Sequence, residues 1–370
     1  MIELLETPTF IIDDFYDSKN IRFFDYLDYE KITYEVLELC SADLPYRDIL
    51  YYPVVLNDLT SDMNLLENVN CRALEMAQNQ QLIIVFMYYG HDNILVILQN
   101  KFVEQLVDHD LPLSQIRFLS SVKLLSKNMP FIFFPFQEME AYMDSKENTL
   151  IKTINEDTRE NIFTCNITKD TAHSRLFGAS IWYHNLAQQS FFTYANQTEG
   201  SEVVGSNIYQ WRKHWTATAT LMDMFGQQLP LGHFIQNNPD YYNKSYWNIT
   251  VMPDFAITSL SLSKEVFAPI LNLQPFILVG PPGSLKLLRS LGYETFRTQV
   301  NEEYDSIIDD ETRMQALFRL TYEMANFKHT DLDTLNSRLF RSIEFNRQHL
   351  LASKKFKLIS LLNTLKSVKR

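Results

Sequence analysis

Glycine and cysteine are scarce in this chain of 370 residues, which contains 9 glycines and 3 cysteines. Neither G-x-G-x-x-G nor G-x-x-x-x-G-K-[ST] occurs, so the sequence argues against a Rossmann dehydrogenase and against a P-loop enzyme. Cys40, Cys71 and Cys165 lie far apart, without metal-ligand spacing. We therefore expect free, buried thiols in a reducing compartment.

Long apolar runs and an excess of basic residues are lacking as well. No apolar run reaches the length of about 18 residues that a membrane-spanning helix needs, so we expect none. Residues 1–13 lack the basic segment that begins a secretory signal, and we expect a cytoplasmic protein. The net charge of −12 argues against a general nucleic-acid-binding surface but leaves room for a local basic groove.

The chain does contain short apolar runs that alternate with helical patterns. The runs at 81–89 and 275–279 are the clearest, and 247–251 also has the pattern of a buried strand. Apolar runs of this length, bounded by turn residues, are typical of buried parallel strands. The sequence therefore predicts an α/β fold.

The length suggests about two domains. Residues 138–160 are polar and charged, with strand patterns on both sides, as expected of a linker. We predict an N-terminal α/β domain over 1–150, a C-terminal α/β domain over 151–330 and a helical extension over 331–370. The basic end of that extension could contact a membrane or nucleic acid, but a helix packed across the first domain is favoured.

The segment 245–305 has the most specific pattern. A Gly-Pro-Pro-Gly turn precedes Ser284, which can cap a helix, and Gly292 stands where a left-handed C-cap belongs. Ser263 precedes a second helical segment, which Pro269 should shorten, kink or delay.

Two turns of this segment, at 252–263 and 280–284, follow predicted strands and lead into helices. Ligands of parallel sheets bind beyond the carboxyl ends of the strands, where helix N-termini favour anions such as phosphate. Both turns are therefore candidate phosphate-binding sites.

These elements resemble the donor-binding half of glycosyltransferase-like proteins encoded by large tailed phages and, more distantly, the inverting fucosyltransferases. The matching positions are 263–270, 275–280, 285–296 and 302–305. The resemblance implies two Rossmann-like domains facing a cleft, the GT-B arrangement. It also implies a nucleotide-sugar donor, with no other cofactor.

The resemblance also implies which residues bind the donor. The family has Glu-Lys where this chain has Lys264 followed by Glu265; the acid would hold the donor ribose and the lysine its phosphates. A basic loop after a strand would face the phosphates, although a solvated helix start is the alternative for its members. The predicted donor-binding residues are Asn166, Lys169, His173, Arg175, Asp254, Ser263, Lys264, Glu265, Gly283 and Ser284.

A catalytic base would deprotonate the acceptor hydroxyl. His91 and Asp92 directly follow the strand predicted at 81–89 and are candidates by position, although Gly, Asp and Asn also favour plain turns. Two Asp-x-Asp triplets, at 108–110 and 331–333, do not directly follow predicted strands. We therefore predict no metal site, since helix N-termini and basic residues can hold a diphosphate.

The predicted function is transfer of a sugar from a nucleotide sugar to an acceptor hydroxyl on a glycan, a protein or a modified DNA base. Two alternatives remain: a catalytically inactive GT-B-like binding or scaffold protein, and a phage DNA-base glycosyltransferase. A phage-encoded protein would act in the cytoplasm of the host cell.

Overall fold

The computed structural model describes residues 6–13, 21–40, 49–56, 59, 63–90, 94–123, 130–147, 159–169, 171–194, 242–256 and 260–367. The chain forms two compact units, Met1–Met143 with Ala352–Arg370 and Asp144–Leu351. The predicted helical extension is thus divided: residues 331–351 belong to the second unit, and residues 352–370 return to the first.

The described strands are β1 (Thr9–Ile12), β2 (Glu35–Glu38), β3 (Leu50–Leu56), β4 (Leu82–Tyr88), β5 (Ile116–Ser120), β6 (Phe131–Phe133), β7 (Asn161–Ile167), β8 (Ser190–Tyr194), β9 (Ser245–Val251) and β10 (Phe276–Val279). The described α-helices are α1 (Arg22–Tyr29), α2 (Cys71–Gln78), α3 (Ile94–Asp108), α4 (Phe136–Glu147), α5 (Ala172–Tyr183), α6 (Phe267–Leu271), α7 (Ser284–Ser290), α8 (Asp310–Ala325), α9 (His329–Leu351) and α10 (Lys355–Ser367).

The first unit has a parallel sheet in the order β2-β1-β3-β4-β5-β6. β4 is buried along its whole length, as expected for an uninterrupted apolar run at the centre of a parallel sheet. On one face, Phe86, Phe102 and Phe118 form an aromatic cluster with ring centroids 4.8 to 5.4 Å apart. This cluster packs α3 onto β4 and β5.

The helix α10 completes the first unit through buried polar contacts. Both carboxylate oxygens of Glu138, on α4, lie 2.7 Å from Nζ of Lys357, and Nζ of Lys354 lies 3.1 Å from Oε1. At the other end of the helix, Nε of Arg117 donates to the carbonyl of Leu365 at 3.2 Å. This agrees with the expected packing of a C-terminal helix on the first domain.

The second unit has a parallel sheet in the order β10-β9-β7-β8. Registers such as Cys165 with Ile249 and Ile277 with Ile249 align these strands. As Pro269 predicts, the segment after Ser263 is short: a 3-10 turn over Lys264–Val266 leads into α6. Gly292 has a φ of 99° directly after α7, which confirms the left-handed C-cap.

The two sheets share one strand order. Counted from one edge, each sheet begins with the second strand of its unit, followed by the first, the third and the fourth. All described strand pairs are parallel. This confirms the predicted α/β class with two Rossmann-like sheets. The order reverses between β1 and β3 in the first unit and between β7 and β9 in the second. In the second unit, that reversal marks where a ligand crevice is expected.

Two smaller expectations are wrong. Cys40 and Cys71 are exposed, because they lie in a turn and on the first turn of α2, and only Cys165 is buried, inside β7. The spacing of apolar residues over 309–328 also predicts a helix with Phe327 facing inward, but α8 ends at Ala325 and Phe327 is 42% exposed. Within the described part of the chain, no helix has both the length and the apolar character needed to cross a membrane.

Candidate functional site

The candidate site lies at the carboxyl edge of the second sheet, where the strand order reverses between β7 and β9. Thr168 and Lys169 follow β7, Thr171 directly precedes α5, and the loop 252–256 follows β9. The adjacent strand β10 ends in the turn 280–283. Half of the predicted donor-binding residues fall on these segments or on the 3-10 turn at Lys264–Val266, and the other half lie on the adjoining strand and helices or, for Ser263, directly before that turn.

The loop after β7 is shaped by Ser174, the residue between His173 and Arg175. Its hydroxyl lies 2.8 Å from the carbonyl of Lys169 and accepts from the backbone N–H of Thr171 at 2.8 Å. Lys169 itself is exposed, and Arg175 is half-buried on the first turn of α5. Asn166 lies on β7, where its Oδ1 accepts from the hydroxyl of Thr193 at 2.8 Å.

His173 is buried, with 7% of its surface exposed. Its Nε2 lies 2.8 Å from the carbonyl of Met252, so Nε2 carries a proton and donates it. Nδ1, 3.1 Å from the hydroxyl of Thr171, is then left as an acceptor. Burial lowers the pKa of His173 to about 4, so the ring is neutral at pH 7 and adds no positive charge.

His173 lies on the buried face of α5, and the sequence contains a signal for this. His173, Leu176, Phe177 and Ser180 follow the spacing of one helical face, and the first three are buried. The ring of His173 stacks on Phe255 at 5.2 Å between centroids. His173 therefore joins α5 to the loop that follows β9, across the point where the strand order reverses.

Asp254 lies in that loop, half-buried, between two residues that are held firmly. Met252 accepts the bond from His173, and its N–H donates to the carbonyl of Val279 at 2.9 Å. The carbonyl of Phe255 accepts from Nη2 of Arg313. The flanking contacts fix the backbone on both sides of Asp254.

The 3-10 turn after Ser263 lies beside the β7 loop. Oε1 of Glu265 is 3.5 Å from the hydroxyl of Thr168, which directly follows β7. Nζ of Lys264 lies 2.5 Å from Oδ2 of Asp144. Ser263 is 2% exposed, and its hydroxyl has no hydrogen-bond partner among the residues that the structure describes.

The turn before α7 is already occupied by a carboxylate of the protein. Asp305 accepts from the backbone N–H groups of Leu285 and Lys286 at 2.8 and 3.0 Å. The carbonyl of Asp305 accepts from the N–H of Gly283 at 2.7 Å. Ser284 is buried, and its hydroxyl donates to the carbonyl of Pro281 at 2.7 Å. The predicted capping by Ser284 is thus replaced by capping from Asp305.

Glu302 makes a second internal contact of the same kind. It accepts from the N–H of Phe296 at 2.5 Å, from the hydroxyl of Thr295 at 2.8 Å and from Nη1 of Arg289 at 3.0 Å. Burial raises the pKa values of both Glu302 and Asp305, and these hydrogen bonds oppose the rise. The motif at 302–305 therefore binds the motif at 285–296, which gives both a structural purpose.

The predicted catalytic residues His91 and Asp92 lie outside the described residues; Tyr89 and Gly90 separate them in sequence from the end of β4. Across the described ranges, no group of three or more His, Cys, Asp or Glu side chains is placed to hold a metal ion. Near the carboxyl edge of the second sheet, the described side chains include two carboxylates, Asp254 and Glu265. Three basic residues are also near this edge: Lys169, Arg175 and Lys264.

No protein-family model matches the chain, and no curated protein sequence matches it. Among solved structures, an α1,3-fucosyltransferase is similar over 90% of this chain and 82% of its own, at 8% identity and a TM-score of 0.40. A trehalose 6-phosphate synthase from Burkholderia multivorans is similar over 96% and 78%, at 10% identity and 0.38. Another trehalose-6-phosphate synthase is similar over 88% and 73%, at 13% identity and 0.39. Likenesses at these identities and scores do not establish what this chain does.

Proposed function

We propose that the chain is a glycosyltransferase whose second unit binds a nucleotide sugar at the carboxyl edge of its sheet, between β7 and β9. The donor diphosphate would contact Lys169 and Arg175, at the loop after β7 and the first turn of α5. The ribose diol would bind a carboxylate, with Glu265 as the first candidate. The acceptor would be a hydroxyl of a glycan or protein, or a modified DNA base.

The observation that carries this proposal is the contact between Glu265 and Thr168. It brings the 3-10 turn at Lys264–Val266 next to the loop after β7, although 97 residues separate them in sequence. A carboxylate and a basic loop thus occur at the reversal point of a parallel sheet, where nucleotides bind in other folds of this type. The hydroxyl of Ser263, which is buried and has no partner within the described ranges, adds a polar group that a ligand could satisfy.

The order Lys264-Glu265 is compatible with this site. Glu265 faces the β7 loop, whereas Lys264 pairs with Asp144. The acid would therefore serve the ribose as in the family, and Lys264 would contribute less to the phosphates. Lys169 and Arg175 would then supply most of the positive charge, and arginine suits phosphate because it can donate two parallel hydrogen bonds.

A binding screen tests the proposal. The full chain would be heated with a panel of UDP-, GDP-, ADP- and CMP-sugars, and each stabilising ligand would be measured by calorimetry. Arg175→Ala should weaken binding by about 1.5–3 kcal/mol, the scale of a hydrogen bond to a charged group. Arg319→Ala is the control, because Arg319 is an exposed residue of α8. Equal affinity in both variants would remove Arg175 from the site.

Catalysis needs a second measurement, since binding alone does not distinguish an enzyme from a binding protein. His91 and Asp92 remain the predicted bases, and His91→Ala and Asp92→Asn should lose turnover while the affinity for the donor is kept. If both variants transfer or hydrolyse the sugar at the wild-type rate, the base is elsewhere.

A non-catalytic binding or scaffold protein is the second candidate function. The observation in its favour is the loss of two expected anion contacts: Asp305 occupies the N–H groups of α7, and His173 is neutral. A chain that binds none of the nucleotide sugars and none of the free nucleotides would support this candidate. Tight binding without any turnover would support it as well.

A further inference from the structure

Arg313, on α8, is fully buried and donates to three backbone carbonyls of loops. Its Nη1 donates to the carbonyls of Ile307 and Ile308 at 2.8 and 3.1 Å. Its Nη2 donates to the carbonyl of Phe255 and to Oδ1 of Asp310, the latter at 2.6 Å. One guanidinium group therefore ties the segment after Asp305 to the loop after β9.

The ring of Phe255 strengthens this attachment. The guanidinium carbon of Arg313 lies 4.0 Å from the ring centroid, a cation–π distance. The imidazole of His173 stacks on the same ring at 5.2 Å and an interplanar angle of 19°. Phe255 is 4% exposed, so these contacts are largely shielded from water.

His173 and Arg313 contact the loop 252–256 near its two ends, and the middle of the loop lies at the carboxyl edge of the sheet. His173 holds the carbonyl of Met252, and Arg313 holds the carbonyl and ring of Phe255. Asp254 lies between these two anchors. A buried charge that donates mainly to backbone carbonyls is a costly arrangement unless its geometry is kept, because a lost bond leaves a desolvated donor.

We propose that Arg313 is a positioning residue of the donor site: it holds the loop 252–256, and with it the carboxylate of Asp254, in the conformation that the nucleotide sugar meets. The inference rests on the proposed function. Arg313 does not itself contact the ligand in this scheme. It acts through Phe255, and the neutral His173 acts in parallel through Met252.

The sequence gives a signal for Arg313 that was missed. Arg313, Leu317, Leu320 and Met324 follow the spacing of one helical face, and all four are buried. An arginine in an apolar stripe must find partners for its donors inside the protein. Among the described residues, Nη1 and Nη2 of Arg313 have such partners and Nε has none. Its partners, however, lie on loops that no local pattern connects to α8.

The test compares Arg313→Met and Arg313→Lys with Arg319→Met, a control on the same helix whose arginine is 81% exposed. Two quantities are measured on the full chain: amide hydrogen exchange of peptides covering 252–256 and 276–279, and the affinity for UDP, GDP, ADP and CMP. Phe255→Leu is added as a milder variant, because it removes the ring contacts and keeps the backbone carbonyl.

For Arg313→Met, we expect exchange in 252–256 to rise at least tenfold, exchange in β10 to stay unchanged, and the affinity for the nucleotide that binds wild type to fall at least tenfold. Arg313→Lys and Phe255→Leu should show intermediate changes, and Arg319→Met none. Arg313→Lys should keep part of the nucleotide affinity that Arg313→Met loses, while hydrogen exchange in β10 is the same in both variants. If Arg313 only stabilised the fold in general, exchange in β10 would change together with the affinity.

Three results would overturn the inference. Exchange in 252–256 could stay at the wild-type rate, exchange in β10 could rise equally, or the loop could loosen while nucleotide affinity is unchanged. If wild type binds none of the four nucleotides, the proposed donor site fails instead. Should Arg313→Met fail to fold, Phe255→Leu decides by the same criteria.

Discussion

The carboxylate of Asp305 accepts a hydrogen bond of 2.8 Å from the backbone N–H of Leu285. From sequence, the turn before α7 is a candidate phosphate site, because helix N-termini attract anions. The structure places an anion of the protein itself at that position. The turn is therefore satisfied internally, and a donor phosphate would have to displace Asp305 to use it.

Asp305→Ala should destabilise the protein. The variant loses two bonds to the N–H groups of Leu285 and Lys286 and an interaction with Arg289 at 3.7 Å. The expected loss is about 1–3 kcal/mol in the free energy of unfolding, from the cap and the charged hydrogen bonds. Urea denaturation measures it. Asp309→Ala removes an exposed cap of α8 and should cost less; an equal cost for both variants would contradict the buried role of Asp305.

Exchanging Lys264 and Glu265 gives the Glu-Lys order of the glycosyltransferase-like proteins, but it should not improve donor binding. The exchange would put a carboxylate at position 264, where Nζ now pairs with Asp144 at 2.5 Å, and a lysine at position 265, beside Thr168. We expect weaker nucleotide-sugar binding and no gain in melting temperature. Calorimetry and thermal unfolding of the double variant check this. A rise in affinity would mean that the family order is required and that Asp144 does not fix the turn.

His173 should contribute a stability that depends on pH. Burial holds the pKa of His173 at about 4 in the folded protein, compared with 6.5 for an ordinary histidine. The unfolded chain binds the proton first as pH falls, so the contribution is complete above pH 6.5 and is lost between 6.5 and about 4. At 1.36 kcal/mol per pKa unit, the loss is about 3 kcal/mol.

The matched variant is His173→Gln, which keeps a donor for the carbonyl of Met252 and cannot titrate. The difference in unfolding free energy between wild type and variant should shrink or reverse in favour of the variant from pH 7 to pH 4.5. Carboxylates that titrate in this range affect both proteins and cancel in the difference. A difference that does not vary with pH would show that His173 is not a buried neutral ring.

Glu138→Gln should destabilise the first unit strongly. Glu138 is fully buried, and its partner Lys354 is 2% exposed, so the variant leaves a buried ammonium beside a neutral amide. Removal of one partner of a buried pair costs about 3–5 kcal/mol. Lys366→Ala, which breaks the more exposed pair with Glu6, should cost less than about 1 kcal/mol. Denaturation followed by near-UV circular dichroism compares them, and similar costs would contradict the prediction.

The parts of the fold that could be predicted from sequence are those fixed by local patterns. The strands at 82–88 and 276–279 are runs of apolar residues, and a parallel sheet buries such runs on both faces. The strand at 245–251 has polar residues at 245, 248 and 250 between its apolar and aromatic ones. Gly292 is also a local matter, since a left-handed residue after a helix favours glycine. The roles proposed for His91 and Asp92 stay predictions, because both residues lie outside the described ranges.

The contacts that decide the candidate site could not be predicted in this way. Asp305 caps a helix that begins 21 residues earlier, and Arg313 binds the carbonyl of Phe255 from 58 residues away. Such partners depend on how the loops are arranged around the sheet. The spacing of apolar residues predicts helices and strands but does not predict the arrangement of loops. The segments 285–296 and 302–305 resemble the family as two separate pieces of sequence, and in the folded protein hydrogen bonds connect them.

The return of residues 352–370 to the first unit has a consequence for synthesis on the ribosome. Met1–Met143 emerges first but lacks α10, and hence the ammonium groups that face Glu138, until Asp144–Leu351 has been made. At about 5–20 residues per second, the nascent first unit waits on the order of 10–40 s with an incomplete interior. All residues of the second unit have been synthesised before residues 352–370 are added. The first unit, although its N-terminal segment is translated first, is therefore the last to become fully folded.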